Sequence, residues 1–389
     1  MQIRKIKGVV KNYAWGNKDY IPSLLGGYDG NPQAEYWMGT HPSGEATLEN
    51  GTKLSDYLKA DESVLGKSNI EKFGKKLPLL FKVLAIATPL SLQCHPNKGQ
   101  AEDGWKREKE LRLRREPYNY QDDNQKAEIL VALSPVTAMC GFRANNEIKS
   151  NLEKMLPLCY PKYLSEYACD NQKLFMRLYA LTKDEADEIL KEFKDSLEKA
   201  DCRSWSGNFL TPKGIAKRCL EIYPGDIGAL FPIILNVVHL TIGEGLYLNP
   251  NTLHAYVNGN GIELMDASDN VLRGGLTPKR IDLDELQRIM RFDSEEVSKV
   301  LMVKDGYGRR VYNTPTEAFS LISAVSGDYH ITDSKLMLAL VTEGVVRFSS
   351  EGESITLEKG ECAILPKSLS DYSMKVRGQI FFAAVPEGK

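Results

Sequence analysis

Two spacings of apolar residues divide the chain. Short apolar runs of strand length, bounded by glycine and proline, fill the first ~145 residues, as in LPLLFKVLAIA (77–87), LSLQCH (90–95) and AEILVALSPVTAMCGF (127–142). They read as strands of an antiparallel sandwich or barrel. The spacing then lengthens. In LTKDEADEILKEFKDSLEKA (181–200), Ala186, Ile189, Leu190, Phe193 and Leu197 recur at helical intervals, and charges cover the other face. Thr182 and Glu185 ahead of that run form a capping box. After YPGDIG (223–228) the strand pattern resumes. A second helical signal follows in DLDELQRIMRF (282–292) and DSEEVSKVL (293–301), and the last ~80 residues are again strand-like.

This pattern predicts a mainly β protein with an α insertion. Residues 1–145 and 223–282 make one β unit, 146–222 a helical domain inserted into it, and 283–389 a helical connector with a second β unit. A faint repeat supports two barrels of one type. IGEGLYLNPNTLHAYVNGNG (242–261) and LEKGECAILPKSLSDYSMKV (357–376) share a Gly-Glu opening, an apolar strand, a proline and a turn. His254 follows the proline of the first copy; Ser370 and Asp371 stand there in the second, so the second barrel is expected to be metal-free.

At 389 residues and 42% hydrophobic, the chain can bury two or three cores without staples. Its net charge of −2 offers no broad basic field for nucleic acid. The basic run KREKELRLRREPYNYQ (106–121) is interleaved with carboxylates and reads as a solvated helix face. Seven cysteines with no CxxC argue for a reducing, cytoplasmic setting. The opening MQIRKIKGVVKNYAWG has no secretory h-region. The two most apolar runs are broken, one by Lys82 and the other by Pro232, Asn236 and His239, so no membrane span is expected.

Five histidines occur: His41, His95, His239, His254 and His330. If LSLQCH is a strand, Ser91, Gln93 and His95 share one face, and Leu90, Leu92 and Cys94 the other. Cys94 is then a packed thiol. The same rule gives Lys126 and Glu128 a common face, and likewise His254, Tyr256 and Asn258. Together these strands supply Gln93, His95, Glu128 and His254. Two imidazoles, a carboxylate and an amide oxygen suit Zn²⁺ with an open position. Lys82, amid apolar neighbours, either snorkels at an edge, as buried-lysine statistics favour, or faces a polar cavity.

QCHP (93–96), QKAE (125–128), LHAYVNG (253–259) and DNVLRGGLTPK (269–279) make the chain resemble the type I phosphomannose isomerases, also called mannose-6-phosphate isomerases, of the cupin superfamily. NYAWG (12–16), AEYWMGTHPSG (34–44), LPLLFKVL (77–84), AMCGFR (138–143) and GDIG (225–228) extend the resemblance over nearly the whole chain. It is weakest in the helical insertion and the last ~80 residues.

The resemblance implies two cupin-type jelly-roll barrels and one Zn²⁺ per chain on Gln93, His95, Glu128 and His254. It implies interconversion of mannose 6-phosphate and fructose 6-phosphate through a cis-enediolate, which the planar cation of Arg273 suits. Lys126, Glu263 and Tyr256 match active-site positions, the lysine being preferred to Glu263 as proton carrier. Ser91, Lys82 and Lys279 match phosphate-binding positions. Trp15 is either a sugar-stacking residue or a core or rim aromatic, and Asp269 either orients Arg273 or caps a turn. His41 reads as a turn residue, and His239 and His330 as surface or satisfied core residues. A small sugar phosphate is the expected partner, with the chain a monomer.

Two departures stand out. Cys94 replaces the family's usual valine on the face away from the metal. Gln125 and Ala127 replace a histidine and a proline common in bacterial members, which removes that histidine as a proton carrier. An iron-dependent cupin is disfavoured by Gln93 in the first ligand slot. A non-catalytic sugar-binding cupin is disfavoured by the retention of Arg273, Lys126 and all four ligands.

Overall fold

The strand Leu79–Ile86 shows how the architecture arises. Leu79, Phe81, Val83 and Ala85 turn to one face and enter a core shared between the two halves of the protein. Leu84 and Ile86 turn to the opposite face and line a second core, inside the first sheet. Lys82 shares that inner parity. The computed structural model describes residues 2–199, 205–294 and 296–386. The protein is mainly antiparallel β-sheet with some helices.

The first sheet is organised on the long strand His254–Asp266. The N-terminal half of this strand pairs with Leu92–Cys94 and Val136–Phe142, and its C-terminal half with Leu79–Ile86 and Glu128–Ala132. Further strands, Glu35–Met38, Val9–Lys11, Leu235–Leu240, Gly245–Leu248 and Leu272–Gly275, extend it. One strand therefore sets the register of nearly every neighbour.

The second sheet is built on Ser320–Ile331, Met337–Ser350 and Tyr372–Ala384. It also takes in Arg4–Lys7 and Thr47–Leu48, with Arg4 opposite Ile364 and Ile6 opposite both Cys362 and Leu48. These two strands leave the unit to which the reading of 1–145 assigned them. A period-two pattern marks a strand but carries no information about its partner. The sequence repeat does correspond to like elements. In each sheet a four-residue strand, Gly245–Leu248 or Cys362–Leu365, leads by a turn into a thirteen-residue strand.

The helices Asn145–Met155, Asn171–Tyr179, Lys183–Lys199 and Pro212–Ile222 lie in the chain between the first-sheet strands Val136–Phe142 and Leu235–Leu240. The capping box is formed: Thr182 N donates to Glu185 and Glu185 N to Thr182 Oγ1. Their apolar faces pack as one core against Leu92, Cys94 and Met139, the outer side of the first sheet. Cys94 thus lies among packed leucines, on the face away from Gln93.

The second helical signal is half realised. Asp282 caps the helix Leu283–Ile289, but DSEEVSKVL contains no helix among its described residues. Ser294 instead bridges to Phe142, and Val300 N donates to Gly245 O. Val297 and Val300 pack against two different cores, which an extended segment can reach and one helical face cannot. Among the described residues, no helix is long and apolar enough to cross a membrane.

The shared core joins Phe81, Val83, Ile262 and Leu264 of the first sheet to Leu338, Leu340 and Phe381 of the second. Phe381 is fully buried there. Phe381→Ala is expected to lower unfolding free energy by about 3–5 kcal/mol. Urea transitions followed by far-UV circular dichroism and by tryptophan fluorescence are expected to move together. All four tryptophans lie at or before position 205, far in sequence from Phe381. Separate transitions would show that the sheets do not share a core energetically.

Candidate metal centre and substrate site

Strand pairing brings the chemistry together in rows. Gln93 lies opposite His254 on one side and opposite Arg273 on the other. Lys82 lies opposite both Glu263 and Trp37. Paired positions share a face, so each row presents its side chains to one space. His95 continues the Gln93 strand, and Glu128 opens the strand that pairs with the far half of the long one.

His95, Glu128 and His254 converge, with one donor atom from each within 4.8 Å of the others. Glu128 Oε1 is 3.5 Å from His95 Nε2, and Oε2 is 3.7 Å from His254 Nε2. Both rings are held from behind. His95 Nδ1 donates to Asn270 O at 2.7 Å, and His254 Nδ1 to Thr252 O at 2.9 Å. A carbonyl only accepts, so the proton sits on Nδ1 and each Nε2 lone pair faces inward. Burial pushes both imidazoles below their usual range and keeps them neutral, the form that ligates metal.

Lys126 Nζ contacts Glu128 Oε1 and lies 3.3 Å from His95 Nε2. Burial raises a carboxyl group, but Lys126 together with the His95 and His254 rings outweighs it and holds Glu128 well below the carboxylate range. Two ammonium groups, Lys82 and Lys126, face three carboxylates, Glu35, Glu128 and Glu263. The Glu128 carboxylate stands beside two inward-facing imidazole lone pairs. That donor set fits a divalent cation, with His95, Glu128 and His254 as its holders.

The other end of the Gln93 row is different. Arg273 is half-buried and Lys279 exposed, and the charge of Arg273 pushes the lysine below its usual range. Among the described residues, no carboxylate forms an ion pair with either. Two neighbouring cations without such a partner leave a local excess of positive charge.

These features can be set beside known proteins. Residues 3–145 match the type I phosphomannose isomerase catalytic domain. Over 97% of its length the chain is 32% identical to mannose-6-phosphate isomerase of Escherichia coli strain K12, of which it covers 98%. The chain belongs to the type I mannose-6-phosphate isomerase family. It is also 33% identical to the Schizosaccharomyces pombe enzyme over 82% of each chain. Its fold matches a phosphomannose isomerase variant from Salmonella typhimurium at a TM-score of 0.90, with 30% identity and full coverage of both chains. It matches a mannose 6-phosphate isomerase bound with zinc and yttrium at 0.89, with 30% identity, covering all of both chains.

Against the family expectation, Lys82 stands out. It does not snorkel. It is buried, 3.2 Å from Glu263 and 3.8 Å from Glu35, and 5.0 Å over the Trp37 ring. Burial lowers an ammonium, but these carboxylates override it and raise the group. Glu263 is likewise not a low carboxyl. Burial raises it to about 7, with Lys82 pulling the other way. The hydroxyl of Tyr256 is buried without a hydrogen-bond partner among the described residues, and burial holds the phenol well above its usual range.

Asp269 does not reach Arg273; it accepts from His41 Nε2 at 2.8 Å. Ser43 N donates to His41 Nδ1, so the ring proton is on Nε2. Trp15 stacks on Tyr13 at 5.9 Å and packs against the core that contains Tyr256, as a rim aromatic. Ser91 is half-buried, just before the ligand strand. Sequence reasoning missed Glu35 and Trp37 and set His41 aside. The signal was there in AEYWMGTHPSG, where alternation puts Glu35 and Trp37 on one face.

Gln125 and Ala127 flank the site through Asp266. Ala127 N donates to Asp266 Oδ2 at 3.0 Å, and burial raises that carboxyl to about 6. A raised carboxyl costs nothing below its unfolded pKa and its full amount above the folded value. Asp266→Asn keeps an acceptor for Ala127. It is expected to stabilise the protein by about 2–3 kcal/mol at pH 8, the gain disappearing by about pH 4. Urea midpoints at the two pH values test this; an equal change at both would remove the charge explanation.

Proposed function

We propose that the chain is a zinc-dependent isomerase that interconverts mannose 6-phosphate and fructose 6-phosphate through a cis-enediolate. The observation that carries this reading is one row, running from the His95–Glu128–His254 group past Gln93 to Arg273, with Lys279 nearby and neither cation in an ion pair among the described residues. A sugar phosphate needs both ends, one for its reacting oxygens and one for its dianion.

His95, Glu128 and His254 hold the metal, with Gln93 as the neutral fourth ligand. Bound Zn²⁺ supplies a positive centre that polarises a carbonyl oxygen. Lys279 and Ser91 bind the phosphate, whose binding energy fixes the reacting carbons. Lys82 serves Glu263 instead, as its counter-ion. Arg273, paired with Gln93 on the same row, opposes the negative charge that develops on the sugar oxygens.

Glu263 is the proton carrier. Its pKa of about 7 lets it accept the C2 proton of the aldose and return it to C1. Lys126 is engaged by Glu128 and acts there as a charge partner. Tyr256 has a free donor for a sugar oxygen. On this reading the two sheets are cupin-type barrels. The first is catalytic, 146–222 is an inserted helical domain, and the second carries no metal.

A coupled assay from mannose 6-phosphate to fructose 6-phosphate is expected to show turnover, which chelation abolishes and Zn²⁺ restores. Ligand binding without turnover in the zinc-loaded protein would leave only a sugar-binding role. Glu263→Gln is expected to lower kcat by about 10²–10⁴-fold with metal content unchanged. Glu263 must be ionised to act, so kcat/KM is expected to fall below about pH 7. Lys82→Met removes the cation that favours ionisation and is expected to move this acid limb to higher pH. An unmoved limb would detach it from Glu263.

A further inference from the structure

The helical segment reaches around the first sheet to hold the backbone on both sides of the anion end. Arg218 donates to Ala87 O and Tyr223 Oη to Pro89 O, in the stretch leading to Ser91. Tyr179, the last residue of the helix Asn171–Tyr179, donates its hydroxyl to Gly274 O, the carbonyl directly after Arg273. Asp226 Oδ2 accepts from Thr277 N at 3.0 Å, while its other oxygen accepts from Gly228 N at 2.7 Å.

The segment they grip is irregular. Pairing of Leu272–Gly275 with Leu92–Cys94 shifts register between Arg273 and Gly275. Gly275 has φ +135 and Leu276 φ +53, a conformation costly for a leucine. Such a bulge re-aims the side chain beside it. Packing against the helical segment is tight. A Cβ on Gly275 would come within 2.6 Å of Tyr179 Oη, and one on Gly228 within 2.9 Å of Leu276 N. Arg273 has no carboxylate partner among the described residues, so its aim depends on its backbone. Burial holds the Tyr179 phenol well above its usual range, so it remains a donor.

We infer that Tyr179 and Asp226 are positioning residues for Arg273, acting through the two ends of its bulge. This rests on the isomerase reading above. Through Tyr179 it makes the helical insertion part of the catalytic apparatus and not only a cover for the outer face of the sheet, with Asp226 acting from the turn just after it.

A double-mutant cycle tests it. Tyr179→Phe is expected to lower kcat about tenfold or more, since a small misplacement of a catalytic group is costly. KM is expected to change less than about threefold, and the melting temperature to stay within about 4 °C of wild type. Lysine lacks the planar fork that depends on alignment. In an Arg273→Lys background the same Tyr179→Phe change is therefore expected to cost less than about twofold. An equal loss in both backgrounds overturns the inference, because a general structural effect is additive. If Tyr179→Phe does not fold, Asp226→Asn carries the same cycle, as its amide cannot accept both N–H groups. A wild-type chain without turnover would fail the isomerase reading itself, and this inference with it.

Discussion

Everything in the site depends on burying charges inside a β-sheet without leaving one unpaired. Lys82, Lys126, Glu128 and Glu263 are each at most 8% exposed. A buried charge that loses its partner costs several kcal/mol, more than most single contacts contribute. The ammonium groups and carboxylates must therefore meet, and they meet only if the strands keep one register. A slip of one residue along His254–Asp266 would turn Glu263 away from Lys82 and His254 away from Gln93. The cluster makes the register consequential, and the register makes the cluster affordable.

The rest of the fold serves to keep that register rigid. The outer face of the first sheet is covered on one side by the core shared with the second sheet and on another by the helical core. Among the described residues, neither the second sheet nor the helices contribute to the His95–Glu128–His254 group. The sheet closes over the N-terminal strands, and the helices hold the backbone around the anion end. The polar groups divide into a carboxylate-rich end near the imidazoles and a cation end with no ion pair among the described residues. A ligand with an electron-rich oxygen pair at one end and a dianion at the other fits that division.

Much of the site was legible because it is built on strands. Alternation alone separated Cys94 from Gln93 and His95, and Cys94 indeed packs in the helical core. The capping box at Thr182 needed only local chemistry. What alternation could not supply was neighbours. Burial statistics put Lys82 at an edge, because nothing in LPLLFKVLAIA reveals that Glu263 and Glu35 lie across from it. Asp269 was left between orienting Arg273, four residues along, and capping a turn, yet its partner is His41, remote in sequence. DSEEVSKVL had helical spacing, but the pull of two separate cores drew it out straight.

By itself the sequence determined which residues face the same way, where helices begin, and which side chains carry chemistry. These follow from periods of two and 3.6 and from caps a few residues long. Only the tertiary structure decided which strands pair, and with that which charges meet. It moved Arg4–Lys7 into the distant sheet, raised the carboxyl of Glu263 by burial, and set Tyr179 against the bulge beside Arg273. The physical reason is common to all three. Pairing, desolvation and long-range hydrogen bonds depend on distances through space, and a linear pattern does not contain them.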